Sequence, residues 1–224
     1  MRFDGDVTLA RAASWTILVP VKRLSTAKSR MTTAGLRDVD ALAMAFFQDT
    51  LAAATGCPAV ERVVVATSDV RVTDWARGAG ATVFDDSDSV GINGAVRAAS
   101  SGVGGNLAVL VSDLPCSSPD ALAAWLRRAG RHSTAFVADA AGTGTTMWTR
   151  LAGQPTDPRF GIDSRSAHRG TGCIDLVDVA GGDVDEDGLD RIRRDVDTPS
   201  DLVDALRIGV GPATAAAVAT AELT

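Results

Sequence analysis

Four stretches of this chain carry residue types and spacings suited to chemistry on anions. The run VPVKRLSTAKSRM sets Lys22, Arg23, Lys28 and Arg30 in one loop, among hydroxyls from Ser25, Thr26 and Ser29. In a chain of net charge −6, such a local cluster of cations suits a polyphosphate. A solvated basic turn explains the run equally well, and the glycines of a P-loop are missing. The second stretch, SDLP, places Asp113 just after the apolar run LAVLV. A carboxylate there would hold a divalent cation that also takes phosphate oxygens. Taken alone, Asp113 reads more simply as a turn residue ahead of Pro115.

The third stretch is RRDVDTPSDL, in which Asp195 and Asp197 alternate. In an extended segment residues two apart project to one face. Two carboxylates so placed resist sharing a site unless a cation neutralises them. Thr198 and Pro199 read as a helix start, which leaves Asp195 without a capping role. The fourth combines GTGTTMW with RFGIDSRSAHR. Gly142, Gly144 and Gly161 let backbone approach a ligand closely. Thr145, Thr146 and Ser164 add hydroxyls, while Arg159, Arg165, His168 and Arg169 add positive charge. A small, multiply charged anion would fit such a set. A surface loop is the competing reading, and for His168 alone it is the preferred one.

Several classes are disfavoured on the same residues. Neither histidine has a Ser or Cys partner in sequence that would make a nucleophilic triad. The loop after the first strand holds no glycine, against a GxGxxG dinucleotide fold. Cys57, Cys116 and Cys173 form no CxxC or zinc pattern, and such sparse usage suits a reducing compartment. The acidic balance argues against general affinity for nucleic acid or anionic membrane. The opening MRFDGDVTLARAAS is no signal peptide, and no apolar run is long enough for a bilayer span, so a cytoplasmic setting is expected.

The elements that must position these residues alternate. WTILV, RVVVAT, ATVF, LAVLV and TAFVAD read as strands. Helical spacing runs from Asp38 to Ala54, around Asp69–Arg77 and through Ala95–Ser100. Further helices follow Ser118-Pro119 and Thr198-Pro199. The alternation predicts an α/β fold with a mostly parallel central sheet flanked by helices. Residues 1–13 read as a loose leader and 14–224 as one domain. Between Asp139 and Gly188 the pattern weakens into Gly-rich, polar segments. The Ala-rich tail is expected to form a short helix packed on the domain.

In order along the chain, VPVKRLSTAKSRM, GING, SDLP, GTGTT, RFGIDS with a following His, DVDTPSDL and GVGPATAAAVA resemble one family. It is the guanylyltransferases that act on small phosphorylated carboxylates in coenzyme F-420 biosynthesis, closest to the actinobacterial branch. The resemblance runs from about Trp15 to the C-terminus. It implies a nucleotidyltransferase fold like that of nucleotide-diphospho-sugar transferases. It also implies transfer of GMP from GTP to phosphoenolpyruvate, releasing pyrophosphate. Asp113, Asp195 and Asp197 would then bind magnesium, and Thr145, Gly161 and Ser164 the acceptor's carboxylate end. Lys22, Lys28 and Arg30 would meet the GTP phosphates, and Thr67, Ser68, Gly91 and Asn93 the guanosine. Product would pass to the downstream transferase of the pathway. The same chemistry on 2-phospho-L-lactate, a related transferase for another phosphorylated acceptor, and a non-catalytic nucleotide-binding module are the alternatives. SDLP departs from the GDLP of relatives, and the GGDVDEDG loop is longer than usual.

Overall fold

The computed structural model describes residues 14–24, 38–179 and 186–222. The expected leader and the basic-loop residues Lys28 and Arg30 lie outside the described residues. Strand β1 (Trp15–Pro20) is buried along its whole length. It pairs in parallel with β2 (Val60–Ala66) on one edge and β4 (Asn106–Leu110) on the other. Successive side chains of a strand point to opposite faces, and here both faces are covered. Ile17 and Val19 enter one core cluster and Leu18 another. β4 and β5 (Thr134–Ala138) divide in the same way, Leu110 and Val137 to the first cluster, Val109 and Phe136 to the second. This double burial is why these strands read as unbroken apolar runs.

The described strands form one sheet in the order β3-β2-β1-β4-β6-β5-β7, with β3 spanning Thr82–Phe84, β6 Thr145–Arg150 and β7 Ile174–Asp175. β6 is antiparallel to both its neighbours, while the β1–β2, β1–β4, β2–β3 and β5–β7 pairings are parallel. The first core lies under α1 (Val39–Gly56), α2 (Val70–Gly78) and α4 (Pro119–Ala129). The second lies under α3 (Gly91–Ala99) and the segment holding Phe160 and Cys173.

Helix starts follow their side chains. Ser118 accepts the Ala121 N–H with Pro119 next in line, and Asp69 accepts those of Arg71 and Val72. Thr198 and Asp201 form a reciprocal capping box at the start of α7 (Pro199–Ile208). Such caps contribute about 1 kcal/mol each. Asp49, a break in the apolar pattern of α1, is buried and accepts the N–H groups of Ala213 and Thr214 at 3.0 and 2.8 Å. It thereby anchors the start of α8 (Pro212–Glu222), the Ala-rich tail, whose Ala217 and Val218 pack beside Phe46 and Leu42 of α1.

Two expectations need correction. Helix α3 begins at Gly91, so GING lies inside its first turns rather than in a loop before Ala95. The segment after Asp139 carries regular elements among its described residues, namely β6, α5 (Ser164–Gly170), β7 and α6 (Glu186–Arg193).

Candidate active site

The carboxyl ends of β1, β4 and β5 open into one cavity of about 1060 Å³. Asp113 follows β4, and Val196 donates its N–H to the Asp113 carbonyl at 3.1 Å. Val196 itself is fully buried against α1 and α7. With that side chain turned inward, Asp195 and Asp197 project the other way, and both line the cavity. Arg193 stitches the same segment to β5. Its guanidinium donates to the carbonyls of Ala138 and Asp139 at 3.0 and 2.8 Å, while its own carbonyl accepts from Ala140 at 2.9 Å. Burial first, then the charges of Asp113, Asp139 and Asp197, push the Asp195 carboxyl up to about 7.

Asp139 is a fourth carboxylate of this set, and sequence reasoning missed it. The signal was available: TAFVAD delivers an acid at a strand's carboxyl end, as LAVLVSD does. Asp139 accepts the Thr143 N–H at 2.9 Å, and a Cβ on Gly144 would collide with its carboxylate. Gly144 therefore has to be glycine for the hairpin to pass over Asp139.

That hairpin leads into Thr145, which lines the cavity together with Ser164 and Gly161. The Arg165 N–H donates to the Thr143 carbonyl at 3.0 Å, and its guanidinium to Gly142 at 3.1 Å, tying α5 to the hairpin. Arg165 and Arg169 both engage the buried Asp175 at 2.8 Å, so their charges are spent within the fold. Gly161 adopts φ 137°, a region that favours glycine, and turns the chain toward α5. Thr145 and Ser164 are buried, as is His168 beneath them.

The cavity is also lined by Lys22 and Arg23 after β1, by Ser68 after β2 and by Gly91 at the start of α3. A second cavity of about 490 Å³ is lined by Arg23, Thr67, Ser68 and Asp85, so Arg23 and Ser68 border both. Leu24 donates its N–H to Asp69 at 3.0 Å, which fixes the start of the basic loop against α2. Burial works against it, but the N–H groups of Leu24, Val72 and Arg71 hold the Asp69 carboxyl below its ordinary range.

Of the residues singled out from sequence, Lys22, Ser68, Gly91, Asp113, Thr145, Gly161, Ser164, Asp195 and Asp197 thus meet at one cavity. Thr67 faces the second cavity, and its hydroxyl accepts the Asp69 N–H at 3.1 Å. Asn93 lines neither. Its amide exchanges two hydrogen bonds of 2.9 Å with the Phe160 backbone, clamping α3 to the segment that carries Gly161.

Asp113, Asp139, Asp195 and Asp197 all line this cavity, and carboxylate oxygens are donors of the kind magnesium takes. Burial and the neighbouring charges of Asp113, Asp139 and Asp197 oppose ionisation of Asp195, and a cation among these groups would relieve that opposition. Among the described residues no three acids, histidines or cysteines are already drawn into a metal-holding group.

Fold and site together define a nucleotidyltransferase-like protein. A nucleotidyl transferase from Methanothermobacter thermautotroptrophicus superposes with a TM-score of 0.58 at 18% identity, over 87% of this chain and 98% of that one. A 4-diphosphocytidyl-2C-methyl-D-erythritol synthase gives 0.55 at 14% identity, over 88% and 99%. These likenesses speak for the fold. The family model "Guanylyl transferase CofC like" matches residues 15–153. The phosphoenolpyruvate guanylyltransferase of Streptomyces coelicolor is 43% identical over 213 residues, covering 92% of this chain and 96% of the relative. That of Salinispora arenicola is 44% identical over 216 residues, covering 94% and 96%. The chain belongs to the CofC-like guanylyl transferase family.

Proposed function

We propose that this chain joins GMP from GTP to phosphoenolpyruvate, giving enolpyruvyl-diphospho-5'-guanosine and pyrophosphate, as the names of its Streptomyces and Salinispora relatives suggest. The observation that carries the reading is a single cavity lined by Asp113, Asp139, Asp195 and Asp197, by the cations Lys22 and Arg23, and by the hydroxyl residues Thr145 and Ser164. A phosphate oxygen of the acceptor forms the new bond to the α-phosphorus of GTP. The bond from that phosphorus to the bridging oxygen breaks, and its electron pair leaves on pyrophosphate. A phosphate monoester is largely ionised near neutral pH, so no general base has to create the nucleophile. The barrier lies in bringing two anions into line.

Lys22 would offset charge on the departing pyrophosphate, joined by Lys28 and Arg30 of the basic loop. Thr145, Gly161 and Ser164 would hold the acceptor's carboxylate so that its phosphate points at GTP. Asp113, Asp195 and Asp197 would hold magnesium, with Asp139 beside them. When bound, that cation supplies charge neutralisation between the attacking and departing oxygens. Thr67, Ser68 and Gly91 would line the guanosine pocket, while the Asn93 amide is taken up by the Phe160 backbone. A cytoplasmic setting and transfer of the product to a downstream transferase belong to the same reading.

The test is pyrophosphate release by the purified chain with GTP and magnesium, across phosphoenolpyruvate, 2-phospho-L-lactate and other small phosphorylated acids. Release strongest with phosphoenolpyruvate is expected. Release that does not depend on any phosphorylated acid would overturn the proposal.

A further inference from the structure

His168 is fully buried beneath Thr145, its ring stacked on Phe136 at 5.3 Å and met edge-on by Phe160 at 5.6 Å. One ring nitrogen, Nε2, lies 2.8 Å from the backbone nitrogen of Arg159. A backbone N–H can only donate, so Nε2 has to carry a lone pair. A neutral imidazole then bears its one proton on Nδ1, which is 3.0 Å from the Thr145 hydroxyl oxygen. The ring donates and the hydroxyl accepts. The hydroxyl's own hydrogen is thereby turned away from the ring, and Thr145 lines the cavity.

We propose that His168 is a positioning residue that sets the Thr145 hydroxyl as a hydrogen-bond donor into the cavity, where it selects a carboxylate on the acceptor. The inference rests on the acceptor pocket proposed above. A carboxylate only accepts hydrogen bonds, so a hydroxyl held as a donor favours it. The opposite tautomer would set two N–H groups against each other at the Arg159 backbone. It would also let Thr145 donate to the ring, leaving only lone pairs toward the ligand. The imidazolium form meets the same donor–donor clash at Nε2. The Nε2 bond has a second consequence: it pins the chain at Arg159, two residues ahead of Gly161, on the same wall.

Two measurements test this, one independent of turnover. In full-length protein labelled with ¹⁵N-histidine, the His168 ring should show a protonated Nδ1 and a bare Nε2 from pH 8 to pH 5.5, assigned by comparison with H132Q. A protonated Nε2 would overturn the inference, whatever the enzyme's substrate. In kinetics, H168N keeps a donor near the Nδ1 position and H168Q an acceptor near Nε2, so both lose the ring and its packing. H168Q should raise the KM for phosphoenolpyruvate about ten-fold more than H168N, the worth of one hydrogen bond to a charged group. The KM for GTP should stay within about two-fold in both, and T145V should abolish the difference between them. Equal effects of H168N and H168Q on the acceptor KM, or matching rises for GTP, would contradict the role. Absence of phosphoenolpyruvate turnover in the unaltered protein would instead sink the proposed function, leaving the ring spectrum to decide the tautomer.

Discussion

At the residue scale, the cavity's carboxylates carry a cost that is visible without any ligand. Asp195 sits among Asp113, Asp139 and Asp197, and like charges so crowded oppose one another. Asp195→Asn should therefore raise the melting temperature in metal-free buffer while cutting guanylyl transfer by about a hundred-fold or more. A lower melting temperature would show that the acids do not repel one another. Asp195 and Asp197 stand out in the sequence by their alternation, whereas Asp113 alone reads as a turn residue, and only the family resemblance joins the three. Asp139 was legible by type, as an acid at the end of an apolar strand, although the glycines and threonines that follow it mask that pattern. His168 lies four residues after Ser164, hence on the same face of α5. Its role was out of reach, because its partners at Thr145 and Arg159 are set by tertiary contacts. Burial foremost, with the charge of Arg159, holds the His168 ring down at about 4 against the ordinary 6.5, while a Ser164 backbone bond and Asp157 work the other way. The unfolded chain takes up a proton below pH 6.5 that the folded one refuses until about pH 4. Stability should therefore fall across that window, by roughly 3 kcal/mol in all. Denaturant melts at pH 7, 6 and 5 check it: H168N should show a flatter pH dependence than the unaltered chain, and an identical slope would contradict the assignment.

At the element scale, the segment between α6 and α7 carries the strongest structural demand. The Asp201 carboxylate accepts the N–H groups of Asp197 and Thr198 at 3.2 and 2.8 Å, so the cap of α7 also holds the backbone of a proposed metal ligand. Asp201→Ala should cost about 1 kcal/mol of stability, and it should lower kcat more than the neighbouring surface change Ser200→Ala. A loss of stability with unchanged kcat would show the cap to be only structural. The caps at Ser118 and Thr198 and the apolar strands were readable because each depends on neighbours in sequence. Strand β6 was not. TTMWTR reads as polar, yet all six residues are buried. The Arg150 guanidinium is satisfied there by the carbonyls of Gly105 and Val103 at 2.7 and 2.6 Å and by the Thr156 hydroxyl at 2.9 Å. Partners so distant along the chain leave no local pattern, so an antiparallel strand passed for a loop. The early start of α3 was missed for a related reason: Asn93 belongs to a clamp on the Phe160 backbone, a partner far along the chain.

At the scale of the whole molecule, function follows from where the sheet's carboxyl edge brings distant residues. Lys22 and Asp197 are separated by most of the chain and still line one cavity. The reversed strand β6 matters here, since it runs antiparallel to β4 and β5 and so starts, at Thr145, on the edge where Asp113 and Asp139 emerge. No helix among the described residues is long and apolar enough to cross a membrane. Replacing Ser164 by Phe, on the α5 side of the cavity, should raise the acceptor KM well beyond that for GTP. Equal rises would mean that Lys22 and Ser164 do not divide the substrates as proposed. The central claim is that the α-phosphorus of GTP is transferred, and parallel reactions with α-labelled and γ-labelled GTP test it most directly. With phosphoenolpyruvate present, the α label should enter the acceptor product and the γ label should appear in pyrophosphate. Transfer of the γ label to the acceptor, or its release as orthophosphate, would contradict the account.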